Sequence, residues 1–117
     1  MKKHVLLNAP LSHVIATMGH TDQLVVCDAG LPIPAAPERI DLAVSRGVPK
    51  FMDVVQAITA EMQIERVIMA HEFAEVSPAL HIELVAHMEH LATEQERNIS
   101  FDYVSHEEFK QMTHTSR

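Results

Sequence analysis

The chain has 117 residues, enough for one domain with a single hydrophobic core. Its 16 acidic residues against 9 Lys and Arg give a net charge of -7, which excludes a uniformly basic nucleic-acid surface. The apolar runs are too short to span a membrane, and the first of them is too short for a signal peptide. The single cysteine, Cys27, cannot form an intramolecular disulfide, which is typical of a reducing cytoplasm. We therefore expect one small acidic domain over residues 1–117, located in the cytoplasm, with no nucleic-acid or membrane partner.

Apolar residues recur at helical spacing in four segments and form short apolar or alternating runs in four others. The pattern predicts helices over 10–18, 49–62, 78–91 and 107–113. It predicts strands over 24–27, 39–44, 67–70 and 99–104. Gly19 is expected to cap the first helix, and the first strand has the continuous apolar character of a buried parallel strand. This order of elements predicts an α/β layer fold with a mainly parallel sheet.

The chain contains 9 histidines, which raises the question of a metal site. His87 and His90 lie at helical spacing from Glu83 and Glu94, so one helix face could present four ligands. That face is opposite to the apolar stripe of the same helix, where solvent-exposed charge is expected. No paired cysteines or second cluster support it. We therefore expect an exposed polar face and no metal.

Three other residues occupy positions where α/β folds bind ligands. Asp28 follows the first predicted strand, at the carboxyl end where open α/β sheets place their ligands. His106 follows the last predicted strand in the same way, and His20 follows the first helix. Each also fits a structural role as a turn residue or helix cap, so the residues alone leave both interpretations open. Cys27 is expected to be an apolar side chain rather than a nucleophile, because no cation adjoins it in sequence.

Several stretches of the sequence resemble a known family. They are Met1-Lys2-Lys3, Leu7-Asn8, Gly19-His20-Thr21-Asp22, the run from Leu24 to Pro34, Arg39-Ile40-Asp41, Gly47-Val48-Pro49, Phe51-Met52, Glu61-Met62-Gln63 and His106-Glu107-x-Phe109-Lys110. With them, the chain resembles the D-ribose pyranase family, the mutarotases associated with ribose transport and related to fucose mutarotase. The resemblance runs in register along essentially all 117 residues, and its long ungapped first motif makes it specific.

The resemblance implies an enzyme that interconverts the pyranose and furanose rings of D-ribose without a cofactor. It implies a three-layer α/β/α single domain, assembled into pentameric rings that stack as decamers, with sites at subunit interfaces. The family's acid/base histidine falls on His20. Its sugar-binding aspartate and histidine fall on Asp28 and His106.

The sequence departs from the family pattern at one end. Family members continue past the residue matching Arg117 into a strand-like tail with a Gly-Glu-containing segment and a Tyr-Ala-Asn sugar-binding motif, which this sequence lacks. The resemblance therefore implies the fold more strongly than it implies full activity. A fucose mutarotase-like enzyme and a non-catalytic sugar-binding or assembly subunit are the alternatives.

Overall fold

The computed structural model describes residues 2–28, 31 and 33–117. Met1, Ala29, Gly30 and Pro32, all part of the stretches that carry the family resemblance, lie outside the described residues. The elements in chain order are α1 (Ala9–Thr17), α2 (Phe51–Thr59), β1 (Arg66–Ala70), α3 (His71–Val76), α4 (Pro78–Glu94), β2 (Ser100–Val104) and α5 (His106–Met112), followed by a 3₁₀ turn at Thr113–Thr115. The chain divides into two compact units, Met1–Met62 with Met112–Arg117 and Gln63–Gln111. The single-domain organisation expected for residues 1–117 stays a prediction.

In the first unit, α1 forms where the periodicity predicted it. The Asn8 side chain caps the helix by accepting the N–H of Leu11 at 2.9 Å, which satisfies one of the backbone donors left open at a helix start. The helix ends earlier than predicted: Thr17 is its last residue, Met18 is the C-cap, and Gly19 lies one residue beyond.

Leu6, Leu11 and Ile58 form a buried core in this unit. Partly buried apolar side chains pack against it from α1 and α2, from the chain between them and from the residues just after α2: Ile15, Leu24, Val26, Ile40, Leu42, Val54, Ala57 and Met62. The burial of these side chains removes apolar surface from water and stabilises the unit.

Two predicted strands, over 24–27 and 39–44, are wrong. Neither segment forms a strand in the structure, although each contributes two alternate apolar side chains to the core of the first unit. A strand is defined by hydrogen bonds to a neighbouring strand, and an apolar run indicates burial without specifying that neighbour. The pattern therefore predicted which side chains are buried, but not the pairing.

The second unit is built on a parallel strand pair. β1 pairs with β2 in a register that runs from Arg66 opposite Ser100 to Ala70 opposite Val104. Parallel strands need a long crossover, which α3 and α4 provide here. The strands predicted over 67–70 and 99–104 and the helix predicted from Pro78 are confirmed. α3 was not predicted, because six residues are too few to show a helical apolar period.

The parallel β1–β2 pair with its crossover helices confirms the predicted α/β class with a parallel sheet. Four apolar side chains are buried in the second unit: Met69, Leu84, Met88 and Ile99. None of the helices in the described part of the chain has the length and apolar character needed to cross a bilayer.

Candidate active site

His20 lies in a tight turn directly after α1. The turn is closed from both sides by Asp22, whose carboxylate accepts the Gly19 N–H at 2.7 Å and whose own N–H donates to the Gly19 carbonyl at 3.2 Å. The His20 side chain is exposed, so a ligand in solvent can reach it. The sequence predicted that His20 follows the first helix, and the structure confirms this position.

Arg117 ties this turn to its surroundings within the first unit. Its guanidinium donates to the Asp22 carboxylate at 3.2 Å and to the Thr17 hydroxyl at 3.0 Å. Its backbone N–H donates to the Gln23 carbonyl at 2.8 Å. Sequence reasoning missed this contact because Arg117 and Asp22 are 95 positions apart and no local pattern connects them.

Asp28, the second predicted site residue, is exposed and also lies in the first unit. It follows Cys27, whose side chain is half-buried. Burial raises the pKa of the Cys27 thiol and the Asp28 carboxylate raises it further, while the Arg39 guanidinium lowers it in part. The thiol is therefore neutral at neutral pH, which favours the interpretation of Cys27 as an apolar side chain over that of a nucleophile.

We expect Asp28→Asn to lower the pKa of the Cys27 thiol, because the substitution removes a negative charge that opposes thiolate formation. Alkylation by iodoacetamide follows the thiolate fraction, so its midpoint on the pH axis should move to lower pH in the variant. Asp53→Asn, at an exposed aspartate in the first turn of α2, is the control and should leave the midpoint unchanged. An unmoved midpoint in Asp28→Asn would contradict the electrostatic contact.

His106, the third predicted site residue, lies in the second unit and is the first residue of α5. It comes two residues after the end of β2 and is exposed. Its predicted place, after a strand and at the start of a helix, is confirmed. Its role in a ligand site shared with His20 and Asp28 stays a prediction.

Aromatic and imidazole side chains meet near the carboxyl ends of β1 and β2. His81 Nε2 of α4 lies 2.7 Å from the Tyr103 hydroxyl of β2, a hydrogen-bond distance. His71, the residue after β1, stacks on the Tyr103 ring with centroids 6.0 Å apart, and Phe73 meets the His81 ring edge to face at 5.9 Å. No local sequence pattern indicates a role for these histidines, since the contact joins α4 to β2, two elements that are separate in sequence. The hydrogen bond between His81 and Tyr103 holds β2 at Tyr103, three residues before His106.

The histidine-rich face of α4 is polar and largely exposed, as expected. Glu83, His90 and Glu94 are exposed, and His90 Nε2 lies 3.0 Å from the Glu94 carboxylate. Within the described ranges no three His, Cys, Asp or Glu side chains are arranged to hold a metal ion.

One surface depression in the described part of the chain lies away from the predicted site. It measures about 560 Å³ and is formed by the end of α4, the connection that follows it and the start of β2. These residues are at the opposite end of β2 from His106, and none of the three predicted site residues contributes to the depression. The depression therefore lends no support to the predicted site.

Comparison with known proteins identifies the family. The model of the RbsD / FucU transport protein family matches residues 1–117. The chain belongs to this family. The resemblance predicted from the sequence motifs is confirmed.

Relatives within the RbsD / FucU family are close in sequence. The chain is 53% identical to the D-ribose pyranase of Shewanella halifaxensis and 54% identical to that of Photobacterium profundum, in each case over all 117 residues. It spans 84% of the length of each of these relatives. It is also similar to the structure of Bacillus subtilis RbsD complexed with D-ribose, with a TM-score of 0.82 and 39% identity over 99% of this chain and 82% of that one. This likeness confirms the predicted fold class.

Proposed function

We propose that this RbsD / FucU family member is a D-ribose pyranase, an isomerase that interconverts the pyranose and furanose forms of D-ribose. The observation that carries the proposal is the identity of 53% to 54%, over all 117 residues of this chain, to relatives named for this activity. The likeness to a relative solved with D-ribose supports the same sugar.

The reaction requires proton transfers and no net change in composition. A base removes the proton of the O1 hydroxyl as the C1–O5 bond breaks and O5 takes a proton, which leaves the open-chain aldehyde. After rotation, the O4 hydroxyl attacks C1 and loses its proton while O1 gains one, which closes the furanose ring. Imidazole can accept and donate protons near neutral pH, so histidine suits both half-reactions.

The proposal gives His20 the proton-transfer role, in keeping with its exposed position in a fixed turn. Asp28 binds the sugar by accepting hydrogen bonds from its hydroxyls, and His106 holds a further hydroxyl. Such hydrogen bonds to a charged carboxylate are stronger than neutral ones. Proton transfer by a positioned side chain accelerates reactions by about 10²–10⁴-fold, enough for a ring exchange that already proceeds slowly in water.

Saturation-transfer NMR on D-ribose tests the function directly. We expect the protein to speed exchange between pyranose and furanose signals in proportion to its concentration. L-fucose serves as the comparison sugar: preferential exchange of fucose would favour a fucose mutarotase-like enzyme. Ribose binding without faster exchange would favour a non-catalytic sugar-binding or assembly subunit.

We further propose that the chain assembles into a homo-oligomer built on pentameric rings, with decamers as the stacked form. Supporting this, several large apolar side chains are exposed on the single chain: Val5, Leu7, Val44, Val76 and Ile82. Subunit contacts would cover such side chains, and a closed ring repeats one contact around its axis.

Light scattering checks the assembly. We expect a mass five or ten times the 13.1 kDa of one chain at micromolar concentration. Ile82→Glu places a charge on one of these exposed apolar positions. We expect this variant to have a lower mass than wild type if Ile82 lies in a subunit contact. A monomeric wild-type chain would contradict the proposed assembly.

A cytoplasmic location completes the proposal. Its support is the single cysteine, which cannot form an intramolecular disulfide, as is typical of proteins in a reducing compartment. Fractionation of the native host, with enzyme activity measured in each compartment, tests the location.

A further inference from the structure

We propose that Asp22 is a positioning residue for the reaction, and that with Arg117 it sets the orientation of the His20 imidazole. This inference rests on the proposed function, in which His20 transfers the protons. The Asp22 carboxylate accepts hydrogen bonds from the Gly19 N–H and from the Arg117 guanidinium, which also donates to the Thr17 hydroxyl. We call this network around the turn the His20 clamp: Asp22, Arg117, Thr17 and the backbone of Gly19.

The first part of the clamp acts on the backbone next to His20. The Asp22 carboxylate accepts the Gly19 N–H at 2.7 Å, and the Asp22 backbone N–H donates to the Gly19 carbonyl at 3.2 Å. The Gly19 carbonyl and the His20 N–H belong to the same planar peptide unit. The backbone contact therefore fixes the plane from which the His20 side chain departs. The carboxylate contact, which Asp22→Ala removes, holds the preceding peptide unit and keeps the turn closed.

The second part of the clamp joins the two sides of the turn. Arg117 connects the Asp22 carboxylate to the Thr17 hydroxyl at the end of α1. Thr17 in turn donates to the Val14 carbonyl at 3.0 Å, within the helix. The backbone of Arg117 is held as well, through Gln23 on the far side of the turn. The guanidinium is therefore anchored, and it holds the turn relative to α1.

The His20 clamp contributes little to the stability of the fold. The side chains of Asp22 and Arg117 are 32% and 41% exposed, and ion pairs in contact with solvent add little to folding. Proton transfer depends far more steeply on geometry, because a displacement of about 1 Å can lower a rate about a hundredfold. We therefore infer that losing the clamp affects the reaction more than it affects folding.

The test compares Asp22→Ala with Asp41→Ala. Asp41 is the matched control: it is an exposed aspartate of the same unit that also accepts a backbone N–H, from Ala43 at 3.0 Å, and also pairs with an arginine, Arg39 at 3.8 Å. Ribose ring exchange is measured by saturation-transfer NMR over a range of ribose concentrations, together with the melting temperature.

For Asp22→Ala we expect a maximal exchange rate about tenfold below wild type, with the half-saturating ribose concentration within about twofold. Asp41→Ala should exchange at the wild-type rate. Asp22→Asn keeps an oxygen acceptor for the Gly19 N–H and should recover part of the rate. Should Asp22→Ala fail to fold, Asp22→Asn and Arg117→Gln carry the same comparison.

The double variant Asp22→Ala/Arg117→Gln tests whether the two residues act as one unit. If they do, the double variant is no slower than Asp22→Ala alone, since residues of one network do not add. Full rates in a folded Asp22→Ala, equal losses in Asp41→Ala, or additive losses in the double variant would each overturn the inference.

His20→Ala separates this inference from the proposed function. If His20→Ala abolishes exchange while Asp22→Ala exchanges at the wild-type rate, the inference about the clamp is wrong and the proposed function stands. If wild type shows no exchange, or His20→Ala exchanges normally, the proposed role of His20 is wrong and the clamp has nothing to position.

Discussion

His20→Ala should lower the ring-exchange rate of D-ribose about a hundredfold or more, because it removes the group that carries protons in the proposed reaction. The variant should fold normally, since the side chain is exposed and exposed substitutions typically change stability by less than about 0.5 kcal/mol. Saturation-transfer NMR measures the rate at matched protein concentration, and circular-dichroism melting monitors the fold.

The matched control for this variant is His13→Ala. His13 is an exposed histidine on α1, seven positions earlier in the same unit, and no role is proposed for it. It should leave both the exchange rate and the melting temperature unchanged. A well-folded His20→Ala protein that exchanges ribose within about twofold of wild type would remove His20 from the acid/base role, since acid–base catalysis is worth at least about a hundredfold.

Asp28→Asn should raise the dissociation constant for D-ribose about tenfold or more. The carboxylate accepts charge-assisted hydrogen bonds, each worth about 1.5–3 kcal/mol, and the neutral amide offers one acceptor oxygen in place of two. Folding should change little, because Asp28 is exposed. Isothermal titration calorimetry with ribose gives the affinity, and thermal melting of the same samples gives the stability.

Asp41→Asn is the control for charge loss in the same unit and should bind ribose as wild type does. Asp28 also fits a structural role, as a turn residue. That role predicts the reverse result: an unchanged ribose affinity with a clear fall in melting temperature. The two measurements together therefore decide between sugar binding and turn formation.

The elements that the sequence predicted well are those whose structure depends on local pattern. α1 and α4 follow from apolar spacing, and Pro78 begins the second of these helices as its fixed φ angle allows. β1 and β2 are short apolar or alternating runs that find each other across a crossover. The segment over 24–27 looks at least as strand-like by composition, yet its structure depends on a neighbour that composition does not identify.

In the candidate site, too, local features could be predicted from the sequence, whereas contacts between distant residues could not. The position of His106 after a strand could be predicted from local pattern, whereas the roles of the three site residues came from family motifs. Neither source indicated that Tyr103 lies against His81, or that Arg117 reaches Asp22. These contacts join residues 22 and 95 positions apart, and a polar contact at that distance depends on the folded chain rather than on neighbouring residues.

The first unit is made from two stretches of chain, Met1–Met62 and Met112–Arg117, with the whole second unit between them in sequence. The bond from Arg117 to Thr17 joins positions 100 apart, so it can form only after the intervening chain exists. Contacts of long sequence separation form late, and we expect the contiguous stretch 63–111 to gain structure before the first unit is complete when the full chain refolds. Hydrogen exchange during refolding checks this order, with amides of β1 and α4 protected before those of α1. On the ribosome, the turn that contains His20 would lack its contacts with Arg117 until residues 112–117 have emerged.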